Sequence, residues 1–296
     1  MSSAAPTVSV IMPCYNQGQY FEEAVESVLE QTFQDFEVIV INDGSTEELT
    51  VRLLHSYAHP QVRVLHTVNQ GPSLARNTGI QQAQGRYILP LDADDRIAPT
   101  YLEKAVAILE QQPEVGIVYS QVEWFGEQTG LYPLPPYQFP QILLGNMIFN
   151  TSFYRRADWQ QVGGYNPNMV VGWEDYDFWL SLIELGREVV QISEPLYFYR
   201  QVANSRSAQL TLDRQVTSYV QLFQNHRPLY NDHIEVLFRE LVLMRQDIQQ
   251  THDRLHQTQL ELAQAAQKLA KIRRVTRWLP FLRPSWWSQL RPTLRH

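Results

Sequence analysis

Cysteine is nearly absent from this 296-residue chain. Cys14 stands alone, which excludes a disulfide framework and a cysteine-based zinc cluster. Long apolar runs are missing too. No stretch approaches the roughly 18 residues of a membrane span, and the N-terminus carries no charged-then-apolar leader, so a soluble, cytoplasmic protein is expected. Positive charge is not in excess: 24 basic against 31 acidic residues give a formal net charge of −7, which argues against nucleic acid as a partner. Two phosphate-binding signatures are also lacking. No Gly-x-Gly-x-x-Gly follows the first apolar run, which disfavours a Rossmann dehydrogenase, and no Gly-x-x-x-x-Gly-Lys-Ser/Thr occurs, which excludes a P-loop NTPase.

Acidic residues vanish altogether from Lys271 to His296, where seven basic residues fall (Lys271, Arg273, Arg274, Arg277, Arg283, Arg291 and Arg295). Without them, 17 basic residues face 31 acidic ones and the body carries −14. Charge segregated at a terminus points to a tail with its own partner. Trp278, Phe281, Leu282, Trp286 and Trp287 lie in that tail, and Pro280, Pro284 and Pro292 exclude one long amphipathic helix. Tryptophan prefers the bilayer interface, and anionic headgroups contribute about 1 kcal/mol per nearby Lys or Arg. An anionic membrane surface is therefore the expected partner, making the protein peripheral at the inner membrane face. Packing of the tail on the acidic body is the alternative.

The remaining sequence alternates two periods. Val8–Met12, Phe36–Ile41, Val62–His66, Tyr87–Leu91 and Val115–Tyr119 are short, β-branched and mostly apolar, as strands buried on both faces are. Tyr20–Gln31, Thr46–Ala58, Ser73–Ala83 and Thr100–Gln111 between them have helical spacing, with Pro72 before the third and a Thr100-x-x-Glu103 capping box opening the fourth. The expected class is α/β, a mostly parallel sheet with helices on both faces. From Gln121 to Asn146 the pattern fails, and Pro133, Pro135, Pro136 and Pro140 mark a long irregular loop of the kind that carries function. A strand at Met147–Tyr154, a Gly163-Gly164 turn, a helix at Phe178–Leu185 and a strand at Glu188–Ile192 follow. From Asp232 onward, Ile234, Leu237, Leu241, Met244, Ile248, Thr251, Leu255, Thr258, Leu262, Ala265, Leu269 and Ile272 step by alternate threes and fours. That is a coiled-coil seam implying a homo-oligomer, or else a helix lying along the domain.

Ligands in open α/β sheets bind beyond the carboxyl ends of the strands. There the first strand delivers Pro13-Cys14-Tyr15-Asn16, the second Asn42-Asp43-Gly44-Ser45, and the fourth Asp92-Ala93-Asp94-Asp95. Three aspartates in four residues repel unless neutralised, and carboxylates without His or Cys suit Mg²⁺ or Mn²⁺ completed by phosphate oxygens. The plain reading of the same residues is an acidic turn with Asp95 capping a helix. Asp43 fits either a turn or an acceptor for a ribose or base. Arg76, one turn into a helix that starts at Gly71-Pro72-Ser73, suits a diphosphate, or is an ordinary surface arginine. Glu174, Asp175 and Asp177 stand among Trp173, Tyr176, Phe178 and Trp179. Desolvation there would raise a carboxylate toward a working general base, and the alternative is helix-start charge complementing the dipole.

Together these strings resemble the family 2 glycosyltransferases of the GT-A fold. They are Val8–Asn16, Phe36–Ser45, Gly71–Gly79, Leu91–Asp95 and Gly172–Asp177, five motifs in order over about residues 6–205. The resemblance implies a metal-dependent, inverting transfer of a sugar from a nucleotide diphosphate donor, UDP favoured, to an acceptor hydroxyl on a glycan or lipid-linked acceptor in surface polysaccharide or glycolipid assembly. It sets Pro13 and Tyr15 about the base, Asp43 on the base or ribose, and Arg76 at the diphosphate. Asp92 and Asp94 fall on the Asp-x-Asp pair handling ribose and cation, with Asp95 an alternative ligand. Asp175 matches the catalytic base, with Glu174 beside it. Residues 1–231 would form the GT-A domain, with a donor half (6–120) and an acceptor half (121–231), 232–272 the long helix and 273–296 the basic tail. Many members carry a His in a Tyr-Arg-x-His segment; here Val202 of Tyr199-Arg200-Gln201-Val202 stands there. That departure leaves a degenerate, membrane-associated scaffold as the competing reading. The Gln-x-x-Arg-Trp motif of processive polymerases is absent, which favours single-sugar transfer.

Overall fold

A computed structural model describes residues 5–202 and 211–277. The chain opens with β1 (Val8–Cys14), α1 (Gly18–Leu29), β2 (Phe36–Asp43), α2 (Glu48–Ser56), β3 (Val62–Thr67), α3 (Pro72–Gln82) and β4 (Tyr87–Pro90). It continues with β5 (Arg96–Ile97), α4 (Tyr101–Gln111), β6 (Val115–Gly126), β7 (Gly130–Leu131), a 3₁₀ turn at Gln141–Leu144, β8 (Phe153–Arg155), α5 (Arg156–Val162), α6 (Glu174–Glu184) and β9 (Glu188–Gln201). Helices α7 (Leu212–Asn225), α8 (Arg227–Asp232) and α9 (Ile234–Arg277) complete the described residues. The sheet runs β3-β2-β1-β4-β8-β6-β9-β5, with β7 paired to β6. The first four strands are mutually parallel, and β8 enters antiparallel between β4 and β6. The expected mostly parallel α/β sheet is thus present, with an antiparallel insertion.

Strand residues alternate between two buried layers, which is why the runs read as continuously apolar. Val8, Val10, Met12, Val38 and Val40 pack with Phe21 and Val25 of α1 and Leu102 and Leu109 of α4. Ile11, Ile39, Ile41 and Ile88 face the other way, against Ala75 and Ile80 of α3 and Phe178 and Trp179 of α6. Gly79 of α3 lets that helix close on the sheet, since a Cβ there would stand 2.6 Å from Ile41 Cδ1 and 2.8 Å from Ile11 Cγ2. The result pins Arg76, one turn earlier, against the strand tips.

Four expectations are corrected. The strand expected over Met147–Tyr154 shrinks to Phe153–Arg155, because Asn146 Oδ1 accepts from the Ile148 amide and Ser152 Oγ donates to the Phe149 carbonyl, curling the chain before it can pair. Strands β6 and β9 extend far beyond Tyr119 and Ile192, running parallel to Gly126 and Gln201 through a register shift that accommodates Pro195. The capping box at Thr100 does not form. Its side chain makes no cap bond, and Glu103 accepts from the Thr32 hydroxyl at 2.7 Å. The unbroken irregular loop from Gln121 is instead interrupted by the end of β6, by β7 and by the 3₁₀ turn.

The chain divides into two units, Met1–Leu237 and Phe238–His296. The basic aromatic tail from Trp278 on lies outside the described residues. No helix among the described residues is long and apolar enough to cross a membrane.

Candidate active site

The loops after β1 and β2 are tied to each other. Asn16, in the left-handed region at φ 55°, accepts from the Thr46 and Glu47 amides through Oδ1 at 2.8 and 2.9 Å, and its own amide donates to Ser45 Oγ. Asn42 Oδ1 accepts from the Ser45 amide at 3.0 Å. Asp43, which the sequence reading holds between a turn and a ribose or base acceptor, is buried and accepts from the Gln70 amide at 3.0 Å, the Gly71 amide at 2.9 Å and the Thr67 hydroxyl. It therefore organises the entry to α3 while still lining the cleft. Cys14 shares the wall, but burial pushes its thiol up to about 12, so it is no nucleophile.

Beyond β4 the three aspartates take different positions. Asp92 and Asp94 line the cleft and are partly exposed. Asp95 is turned into the protein, where Tyr197 Oη and the Arg200 amide donate to its two oxygens and burial, with Asp94 and Asp92 nearby, raises its pKa well above the carboxylate range. Arg200 staples the same turn, donating to the Asp94 carbonyl at 2.6 Å and to Glu23 while lying over Tyr20 and Phe125. The arrangement leaves Asp95 as a brace rather than a facing ligand. Burial and the charge of Asp92 push Asp94 up to about 6, in spite of a bond from Gln17. Among the described residues no group of three or more His, Cys, Asp or Glu converges as a metal cluster. The donors that face the cleft are thus two oxygen carboxylates, one short of countercharge, a set that fits a hard cation whose shell is completed by water and phosphate.

Arg76 is 3% exposed. Its guanidinium donates to Asp92 Oδ1 at 2.8 Å and to Glu174 Oε1 at 2.9 Å, and sits over the Tyr165 ring. Burial alone would lower its pKa, but the two carboxylates more than offset that, and it stays charged. The residue expected at the diphosphate thus bridges the Asp-x-Asp turn to the start of α6.

That helix begins abruptly. Trp173, a bulky residue at φ 66°, follows Gly172 at φ 141° and turns the chain so that Glu174 and Asp175 open the helix at the cleft wall. Trp173 is held edge-on by Tyr219 of α7, ring centroids 4.7 Å apart. Burial first, and the neighbouring Glu174 charge second, push Asp175 up to about 7 against the opposing pull of Arg76. Asp177 points away. It is buried and bonded by Asn225 and by His226 Nε2 at 3.2 Å, while His226 Nδ1 meets Glu184 at 3.0 Å. No sequence signal marked His226, which is brought to α6 only by the α7–α8 junction.

One cleft of about 1010 Å³ gathers Pro13, Tyr15, Asp43, Arg76, Asp92, Asp94, Glu174 and Asp175, every candidate residue except Asp95 and Asp177. Tyr132, Phe149, Tyr199, Asn146 and Asn150 add a wall that the sequence reading did not single out, and Val202 lines it as well. Asn146 Nδ2 donates to Asp175 Oδ2 at 3.4 Å, and Asn150 Nδ2 to Asp92 Oδ1 at 3.4 Å.

Residues 9–172 match the profile of Glycosyl transferase family 2, more than half of the chain. The chain belongs to that family. An uncharacterized glycosyltransferase, YibD of Escherichia coli, is 38% identical over 165 residues, 55% of this chain and 45% of its own length, so the chain spans less than half of that relative. Two solved structures share the fold. Staphylococcus aureus TarS 1-349 in complex with UDP-GlcNAc has a TM-score of 0.61 at 20% identity, over 77% of this chain and 73% of that one. Mannosyltransferase PcManGT from Pyrobaculum calidifontis, in complex with GDP-Man and Mn²⁺, has 0.58 at 23%, over 75% and 64%.

In this family 2 glycosyltransferase the clamp on α6 is a pH-sensitive element. Both ring nitrogens of His226 face carboxylates, and only the imidazolium donates from both. Burial by itself would lower its pKa, but the bonds and charges of Asp177 and Glu184 raise it from 6.5 to about 9. A raised folded-state pKa contributes stability that is fully present below 6.5 and lost as the pH rises through about 9. The urea midpoint of the native chain should therefore exceed that of His226→Gln most at pH 6, with the gap shrinking steadily toward pH 9.5. A gap that does not change with pH would remove the charged clamp.

Proposed function

We propose that this chain is a metal-dependent, inverting transferase. It would move a sugar from a nucleoside diphosphate donor, with a UDP-sugar favoured, to a hydroxyl of a glycan or lipid-linked acceptor in surface polysaccharide or glycolipid assembly. The observation that carries the reading is the shared cleft: Asp175, its pKa raised to about 7, faces the same space as Tyr15, Asp92 and Asp94. A general base poised near neutrality beside a carboxylate pair is what deprotonation of an acceptor next to a diphosphate leaving group requires.

In this reading Tyr15, about half exposed at the cleft wall, and Pro13 flank the nucleobase. Asp43 makes three hydrogen bonds and keeps acceptor capacity for ribose or base. Asp92 and Asp94 hold Mn²⁺ or Mg²⁺, which when bound supplies charge stabilisation for the diphosphate. Arg76 adds positive potential from beneath, through Asp92. The acceptor hydroxyl gives its proton to Asp175. Its oxygen then attacks the anomeric carbon opposite the phosphate, and the carbon–oxygen bond to the nucleoside diphosphate breaks with its electron pair on the leaving group. Tyr132, Phe149 and Tyr199 offer apolar faces suited to a sugar ring on the acceptor side. The scaffold reading draws only on Val202, and the assembly of Asp92, Asp94 and Asp175 in one cleft weighs against it. Two neighbours of the same fold bound to different nucleotides, UDP-GlcNAc and GDP-Man, leave the choice of base to local contacts.

Asp94→Ala should abolish the Mn²⁺-dependent part of UDP binding in isothermal titration while leaving the thermal transition in place. Undiminished metal-dependent affinity would remove the metal assignment. For Asp175→Asn, donor affinity should hold while turnover, followed as nucleoside diphosphate release, falls at least about 100-fold. Because the base works unprotonated, native turnover should rise with pH through about 7 and then level off. Near-native turnover in the Asn variant would move the base to a neighbouring carboxylate.

A further inference from the structure

Helix α9 runs for 44 residues, about 66 Å at 1.5 Å per residue, and from Phe238 it belongs to the second unit of the chain. Its apolar residues recur with a strict period. Ile234, Leu241, Ile248, Leu255, Leu262 and Leu269 are spaced by seven, six β- or γ-branched aliphatics in succession, and each is 43–72% exposed. Interleaved with them, Met244 and Ile272 are also exposed, and Thr251, Thr258 and Ala265 are exposed and small. Only Leu237, at the end of the first unit, is buried. Internal support along the outer turns comes from bonds such as Gln249 to Asp253 and Gln257 to Glu261, four residues apart, which are weak beside the tertiary packing that stabilises most helices. A helix of this length with an exposed seven-residue stripe is a half-built interface.

We propose that α9 pairs with α9 of a second copy of this chain as a parallel, in-register, two-stranded coiled coil. The exact seven-residue period selects a left-handed supercoil, in which the stripe stays on one seam. Charge selects the occupant and its direction. In a parallel pair each residue preceding the seam meets the residue five positions on in the other copy. Glu240 then meets Arg245 and Asp247 meets His252, while Arg254 meets Gln259, Glu261 meets Ala266, and only Lys268 with Arg273 sets like charges together. In an antiparallel pair of full overlap, Glu240 would meet Lys268 near the ends, but Asp247 would meet Glu261 at two places and Arg254 would meet its own counterpart at the centre. The parallel pairing sets Glu240 against Arg245 at the amino end and leaves the middle without like-charge contacts; the antiparallel one concentrates like charges there. This pairing uses no residue of the cleft and is independent of any transferase activity there.

Sedimentation equilibrium of the full chain should give twice the 34.5 kDa of one copy. Leu255→Asp combined with Leu262→Asp should halve that mass while leaving the main thermal transition in place. Direction is read by Leu269→Cys under mild oxidation. Parallel pairing brings residue 269 onto itself and gives a disulfide-linked dimer, whereas full antiparallel overlap would bring it to Leu237. Cys14 does not compete, being buried. A monomeric native chain, a dimer that survives both aspartates, or a dimer that fails to crosslink at 269 would each overturn the proposal.

Discussion

Arg76 carries a full positive charge in a place with almost no water, and the geometry of the cleft depends on what it holds. Its two nitrogens reach Asp92, just past the tip of β4, and Glu174, at the first turn of α6, side chains 16 and 98 residues away in sequence. Removing one partner of a buried ion pair strands the other charge and costs about 3–5 kcal/mol. The charge thus fastens the turn that carries Asp92 and Asp94 to the helix that presents Asp175. It also tempers Asp175 directly, opposing the rise that burial and Glu174 impose. One guanidinium ties two parts of the cleft together and lowers the pKa of a carboxylate between them.

The far side of α6 is fixed by a second buried charge. His226 sits between Asp177 and Glu184, and Tyr219 of the same α7 segment braces Trp173. Left-handed backbone at a tryptophan costs on the order of 1–3 kcal/mol and persists where its surroundings hold it. The site is therefore completed by parts of the chain that lie outside the segment matched by the family profile, which ends at residue 172. Helix α7 and its junction with α8 support the start and the far side of α6.

Much of this was legible beforehand. Strands β1 to β4 were readable because burial on both faces forces unbroken β-branched runs, and a parallel sheet sends every loop after them to one rim. That is why Tyr15, Asp43, Asp92 and Asp94 could be gathered from sequence. Asp95 could not be separated from its neighbours, since its inward turn depends on Tyr197 and Arg200, a hundred residues away. The ion pairs of Arg76 and His226 were hidden for the same reason: an ion pair carries no local pattern. The strand expected at Met147–Tyr154 failed where short-range bonds from Asn146 and Ser152 outcompeted pairing.

The coupling of Arg76, Glu174 and Asp175 is the centre of this account, and the pH dependence of turnover in Glu174→Gln tests it most directly. Loss of the Glu174 charge removes a term that raises Asp175 and leaves Arg76 to act on Asp175 with less competition. The acidic limb of nucleoside diphosphate release should then shift to lower pH than in the native chain. A limb that stays in place, or moves to higher pH, would contradict the assignment of Asp175 as a base tuned by that pair.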